Sequence, residues 1–229
     1  DFGCDMNDLS DPAIDVYDNA MFIIALDYLL EMAPDSPQAS RWKSLREGIE
    51  RNVRAHLWDV KRQKFIPHIY PEKSPIPEGF DELAIHYHGG TAIAIEAGLL
   101  SEDEIRTVNA QMLENVRLSG MPSIGLTLYP VYPDGFFHGG MSKAYLYQNG
   151  GDWTWFGGRM IQQLVVNGMV EEAYAEIHPM IERVIQNDGF YEWYGKGGVP
   201  SGSGNFKGSA GVLSKAIELL RDWAEKNKS

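Results

Sequence analysis

GGTAIAIEAGLLSEDE (89–104) decides the fold. From Ala92 to Leu100 nearly every residue is apolar, and Gly98 is a natural helix stop. Ser101, with Glu104 three residues on, is a capping box that opens a second helix. In that second helix Ile105, Val108, Met112 and Val116 recur every three or four residues, so only one face is apolar. The pattern is a helix apolar nearly all round, a glycine, then an amphipathic acidic helix. Physically this is an inner helix followed by an outer one.

The same couple occurs on either side. Residues 13–32 are apolar almost throughout from Ile14 to Met32, as an inner helix buried on most sides would be. Pro34, Asp35, Ser36 and Pro37 stop that helix and restart the chain, with Ser36 as the expected N-cap and Pro37 at the first helical position. The following segment repeats Trp42, Leu45, Ile49, Val53 and Leu57 on one face and charges on the other. Downstream, 152–168 is inner in type and 169–186 outer, with Pro179 expected to kink the latter. The segment 207–226 is inner again. The stretches 59–81, 119–149 and 188–206 are long, aromatic and rich in Gly and Pro; connections of that length are usually functional. FIPHIY (65–70) and IGLTLYPVY (124–132) have strand-like composition but read best as loop ribbons.

The expected fold is therefore all-α: a toroid of helical hairpins, incomplete at three and a half hairpins, with long aromatic loops on one face. Residues 1–229 read as a single domain. Apolar residues are 44 % and charged residues 23 %, as in ordinary globular proteins. A net charge of −12 without any Lys/Arg cluster argues against a nucleic-acid or anionic-membrane partner. AMFIIAL (20–26) is far too short to span a bilayer. Cys4 is the only cysteine, so no internal disulfide forms, and the compartment stays open. The first residues carry neither an initiator methionine nor a signal pattern, so a processed or truncated chain is expected.

Three stretches carry candidate chemistry. In CDMNDLSD (4–11), Asp5, Asp8 and Asp11 precede the first inner helix, where carboxylates serve as caps as readily as they serve catalysis. In YQNGGDWTWFGGR (147–159) polar residues alternate with Trp153, Trp155 and Phe156; sugars present apolar ring faces to aromatics and a hydroxyl rim to Asn, Gln, Asp or Arg. A turn followed by core tryptophans gives the same pattern. In FYEWYGKGGVPSGSGNFKGSAG (190–211), Glu192 lies among four aromatic residues, an environment that strips water from an acid and suits it to hold a proton or activate water. The alternative is a surface glutamate in an exposed loop. His86 and His88 lack the helical spacing of a metal pair, and no metal or cofactor is expected.

Together these stretches resemble the C-terminal part of the six-hairpin (α/α)6 glycosidases, the group of processing α-glucosidases, trehalases, glycogen-debranching glucosidases and neutral invertases. DMND followed by YDNAMFIIAL resembles the segment in which that group places an Asp before an inner helix, and related phosphorylases carry DWND there. YQNGGDWTW is similar to the sugar-subsite signature YHNGGxWPW, with Gln148 in place of its His. The stretch from Tyr191 to Leu213 resembles the family endings in which the glutamate is the general base, and TLYPVYP (127–133) is similar to a substrate-facing loop of debranching enzymes.

The resemblance implies an inverting, exo-acting α-glycosidase acting on an oligosaccharide. Asp8 would be the general acid, with Asp5 the second candidate, and Glu192 the general base. Trp153, Trp155, Tyr191 and Trp193 would line the sugar site, with Gln148, Asn149, Asp152 and Arg159 as hydrogen-bonding partners. It also implies that an N-terminal half or a partner chain completes the barrel. Two alternatives accompany it: a glycoside phosphorylase of the same architecture, and a noncatalytic carbohydrate-binding helical module.

Overall fold

The structure is a computed structural model, which describes residues 12–137 and 139–228. It contains seven α-helices among the described residues: α1 (Val16–Met32), α2 (Ala39–His56), α3 (His88–Glu96), α4 (Glu102–Ser119), α5 (Thr154–Val166), α6 (Val170–Asn187) and α7 (Lys207–Lys226). α1 packs on α3, α3 on α5 and α5 on α7, so these four form an inner arc; α2, α4 and α6 lie outside it. The core runs through this arc, with Val16, Ile23, Ile93, Met160 and Leu164 fully buried. The architecture is the incomplete toroid of hairpins expected from the sequence.

Local sequence explains the boundaries. The Ser101–Glu104 capping box forms in both directions, and Gly98 follows α3 at φ +72°. Asp15, unmarked by the sequence reading, caps α1 by accepting from the Asp18 amide at 2.8 Å. Where Gly157 of α5 faces the chain at Gly125, a Cβ would collide with the Met180 side chain and lie 2.9 Å from the Gly125 nitrogen. Only a glycine allows that approach.

Two expectations are corrected, the start of α2 and the burial of α1. α2 begins at Ala39, two residues beyond Pro37, and Ser36 accepts from the Gln38 amide at 3.2 Å within the preceding turn without capping the helix. α6 is continuous across Pro179, whose missing N–H removes one bond, with Ile177 and Met180 buried on either side. α1 is not buried on most sides. Phe22, Leu29 and Met32 share one stripe and stand exposed, Met32 by 73 %. At the other end of the arc, Tyr174, Ile177, Ile181, Ile217, Leu220 and Trp223 line an open apolar groove of about 710 Å³ between α6 and α7. The helix periodicity is right at both ends, but no described element covers them.

Candidate functional site

Short links join each inner helix to the outer helix that follows, at 33–38, 97–101 and 167–169. The long segments all lead from an outer helix back to the start of the next inner one. They are laced together: Ile14 bridges to Ile69, His86 to Tyr129, Leu126 to Asp152, and Asp152 to Tyr194. Two antiparallel pairs, β1 (Trp58–Asp59) with β2 (Lys64–Phe65) and β3 (Trp193–Tyr194) with β4 (Pro200–Ser201), complete this ribbon. The segments read as loop ribbons are thus what the chain forms there, and each leads into the N-terminus of the next inner helix.

Glu192 lies on this ribbon, immediately before β3, and is half-buried. Its backbone N–H donates to the Ser203 carbonyl at 2.9 Å, and the Ser203 N–H donates to its Oε2 at 3.3 Å. Oε1 has no hydrogen-bond partner among the described residues. Beside it an aromatic row begins. Trp193 meets Tyr147 edge-on at 6.3 Å, Tyr147 meets Trp153 at 4.9 Å, and Trp153 meets Phe206 at 6.1 Å. Phe206 and Trp155 both border Gly208, and the Arg159 guanidinium lies 4.7 Å over the Trp155 ring. Arg159 pairs in turn with Glu96 at 3.3 Å. Burial pushes the Glu96 carboxyl up and Arg159 opposes the rise; burial likewise raises the Tyr17 phenol beside this pair.

Other expected site residues are placed differently. Asn149 is fully buried: its Oδ1 accepts from the Tyr132 amide at 2.9 Å, and its Nδ2 donates to the Tyr132 and Lys143 carbonyls. Asp152 is fully buried as well, accepting from Ser123 Oγ at 2.7 Å and from Arg183 Nη1 at 2.7 Å. Both side chains are buried and bonded to neighbouring segments, which ties the ribbon together. Trp153 is buried and donates its Nε1–H to the Tyr147 carbonyl at 3.1 Å, so it backs the aromatic row. Gln148 is half-buried, and its carbonyl accepts from Thr127 Oγ1. Tyr191 is half-buried and packs edge-on against Tyr194 at 6.1 Å. Asp5 and Asp8, like Asp11, lie outside the described residues.

The sequence reading missed Tyr147, Tyr17 and Glu96, which stand next to residues it chose. It also missed a carboxylate knot under the ribbon. Glu82 Oε1 accepts from Tyr70 at 2.7 Å and from Tyr132 at 2.6 Å, and lies 2.8 Å from His68 Nδ1. Burial alone would raise this carboxyl, but the bonds from His68, Tyr132 and Tyr70 outweigh burial and hold it below its usual value. His86 and His88 stack at 5.7 Å, and the His88 and Asn115 side chains are hydrogen-bonded at 2.9 Å. Burial, with Lys64 nearby, brings His86 down to about 4. His88 is buried and bonded, which is a structural role, whereas His86 is half-buried and its Nδ1 has no partner among the described residues.

No protein-family model matches the chain, and no curated protein sequence does. Solved structures do. The GH63 mannosylglycerate hydrolase of Thermus thermophilus, in complex with Tris and D-glycerate, matches over 92 % of this chain and 46 % of its own, with a TM-score of 0.62 at 19 % identity. The same enzyme in complex with glucose gives a TM-score of 0.60 at 17 % identity, over 92 % of this chain and 48 % of its own. An uncharacterized conserved protein of that organism gives 0.61 at 18 % identity, over 92 % and 47 %. The chain spans about half the length of these structures. Its fold is the six-hairpin glycosidase-type helical fold, matched over that half.

Proposed function

We propose that this chain is the C-terminal part of the catalytic barrel of a glycoside hydrolase, an inverting, exo-acting α-glycosidase of α-glucosidase type acting on an oligosaccharide. Glu192 is its general base and Asp8 its general acid, with Asp5 the second candidate for the acid. The observation that carries the reading is Glu192 itself, an acid on the ribbon with one anchored and one unbonded oxygen, next in the chain to Trp193, where the aromatic row begins. The fold supports the same class, and so does the chemistry of the ligands, glucose and D-glycerate, seen in the solved relatives.

In this mechanism the acid protonates the glycosidic oxygen as its bond to the anomeric carbon breaks. Glu192 takes a proton from a water attacking the opposite face, which requires carboxyl groups about 6.5–9.5 Å apart. Trp193, Tyr147 and Trp155 offer ring faces to the sugar, and Arg159, over Trp155, and Gln148 are its hydrogen-bonding groups. Further helices close the ring along the exposed stripe of α1 and the α6–α7 groove, either from the same polypeptide or from a partner chain.

The test is proton NMR of the full-length gene product on maltose-type oligosaccharides and aryl α-glucosides. The β-anomer of the released sugar should appear first, without any need for phosphate. Release of the α-anomer first would refute inversion, and strict phosphate dependence that survives Glu192→Gln would identify a phosphorylase. Sugar binding without turnover would leave a noncatalytic module.

A further inference from the structure

Gly202 has a backbone φ of +70° and sits directly against Glu192. A Cβ at this position would collide with Glu192 Oε2, and it would lie 2.8 Å from the Glu192 Cβ and 3.1 Å from its Cδ. Because Cβ is the root of the side chain, turning the carboxylate away would not relieve the overlap. The next residue, Ser203, accepts the Glu192 backbone N–H at its carbonyl and gives its own N–H to Oε2. The turn at 202–203 therefore fixes one carboxylate oxygen and leaves the other unbonded. Other glycines of this segment do nothing comparable: Gly197 and Gly198 also have positive φ, at 75° and 74°, but a Cβ on either meets open space.

We propose that Gly202, with the Ser203 N–H, is a positioning device for Glu192, setting the carboxylate so that Oε1 is the oxygen that takes the proton from water. This rests on the reading of Glu192 as general base. Gly202 acts through Glu192 and touches no substrate itself. The left-handed φ and the empty Cβ position are separate demands, and only the second concerns the acid.

Gly197→Ala supplies the control, since it imposes the same backbone strain in the same loop without approaching Glu192. Both positions are exposed, so each variant should keep the fold. The measurement is kcat and KM on an aryl α-glycoside with the full-length gene product. Gly202→Ala should lower kcat about tenfold to a hundredfold with KM nearly unchanged, because a displaced base costs transition-state geometry more than substrate binding. Ser203→Pro, which deletes the donor, should lower kcat in the same direction. Gly197→Ala should leave both constants within about twofold.

If Gly202→Ala and Gly197→Ala lose equal activity, or if Gly202→Ala keeps its kcat, the positioning role is refuted. Glu192→Gln separates that failure from failure of the functional reading. Full turnover in Glu192→Gln removes the base itself, whereas lost turnover there with an unaffected Gly202→Ala removes only the role of Gly202.

Discussion

Asp152 and Glu192 occupy neighbouring stretches of one ribbon, joined through the bridge between Asp152 and Tyr194, yet they are held in opposite ways. Asp152 is fully buried, and its oxygens are taken by Ser123 and Arg183; Arg183 also reaches Thr154 Oγ1 and lies 4.0 Å over the Tyr194 ring. Glu192 is half-buried, with a single bond to its carboxylate. A buried acid paired with a guanidinium and a hydroxyl holds a fold together, whereas a half-buried acid with one oxygen left unpartnered is available to water. Both lie in aromatic, glycine-rich sequence, and composition alone does not separate them. Their partners do.

A buried acid that is only partly satisfied provides a third case. Glu176 of α6 accepts from Asn109 of α4 at 2.8 Å through Oε1, while its Oε2 and the Asn109 Oδ1 have no partner. Burial pushes its carboxyl up to about 7, opposed by the Asn109 bond and assisted by Glu172. Burial therefore favours the protonated form of this acid.

The comparison breaks most severely at Asp152. Asp152→Ala leaves the Arg183 guanidinium buried without its counter-charge and should cost about 3–5 kcal/mol of stability, read as a fall in the urea midpoint. A loss below about 1 kcal/mol would mean that the Asp152–Arg183 pair is not what ties the ribbon to α6.

Glu176 should show itself in the pH dependence. Its folded value lies above its unfolded one, so between about 4.5 and about 7 the native state binds more protons than the unfolded state. Stability should therefore fall as pH rises through that window, by about 3 kcal/mol at most, and level off above it. Glu176→Gln should flatten this window; an unchanged slope would assign it to other groups.

Gly157→Ala tests the packing that brings α5 under the ribbon. Its Cβ would press on Met180, which can move, and on the Gly125 backbone, which cannot do so freely. The expected cost is about 1–3 kcal/mol with kcat lowered little. A gain in stability would show that the approach is looser than described.

The helical couples were legible because each announces itself locally. Ala92 to Leu100, Gly98 and the Ser101–Glu104 box set an inner helix, a stop and an outer helix within sixteen residues, with no information needed from elsewhere. The ribbon was legible only as composition. Asp152 meets Arg183, and Glu82 meets Tyr132, across distances that no local period encodes. One signal was present and unread. Glu176 and Arg183 fall at three- and four-residue steps from Ala173 and Met180, on the buried stripe of α6, and a charge on an apolar stripe requires a buried partner. Periodicity did not mark the uncovered stripe of α1, because it states which face is apolar without stating what covers it; the expected incompleteness of the toroid is what leaves such a face open.

The central claim is that Glu192 works on water while Asp152 works on the fold. Its most direct test is kcat and thermal midpoint for Glu192→Gln measured on the same preparation. The account predicts a loss of about 10²–10⁴-fold in kcat with the midpoint moved by no more than about 2–4 °C. A variant that turns over within about threefold of the unmodified protein, with its fold intact, would contradict the account.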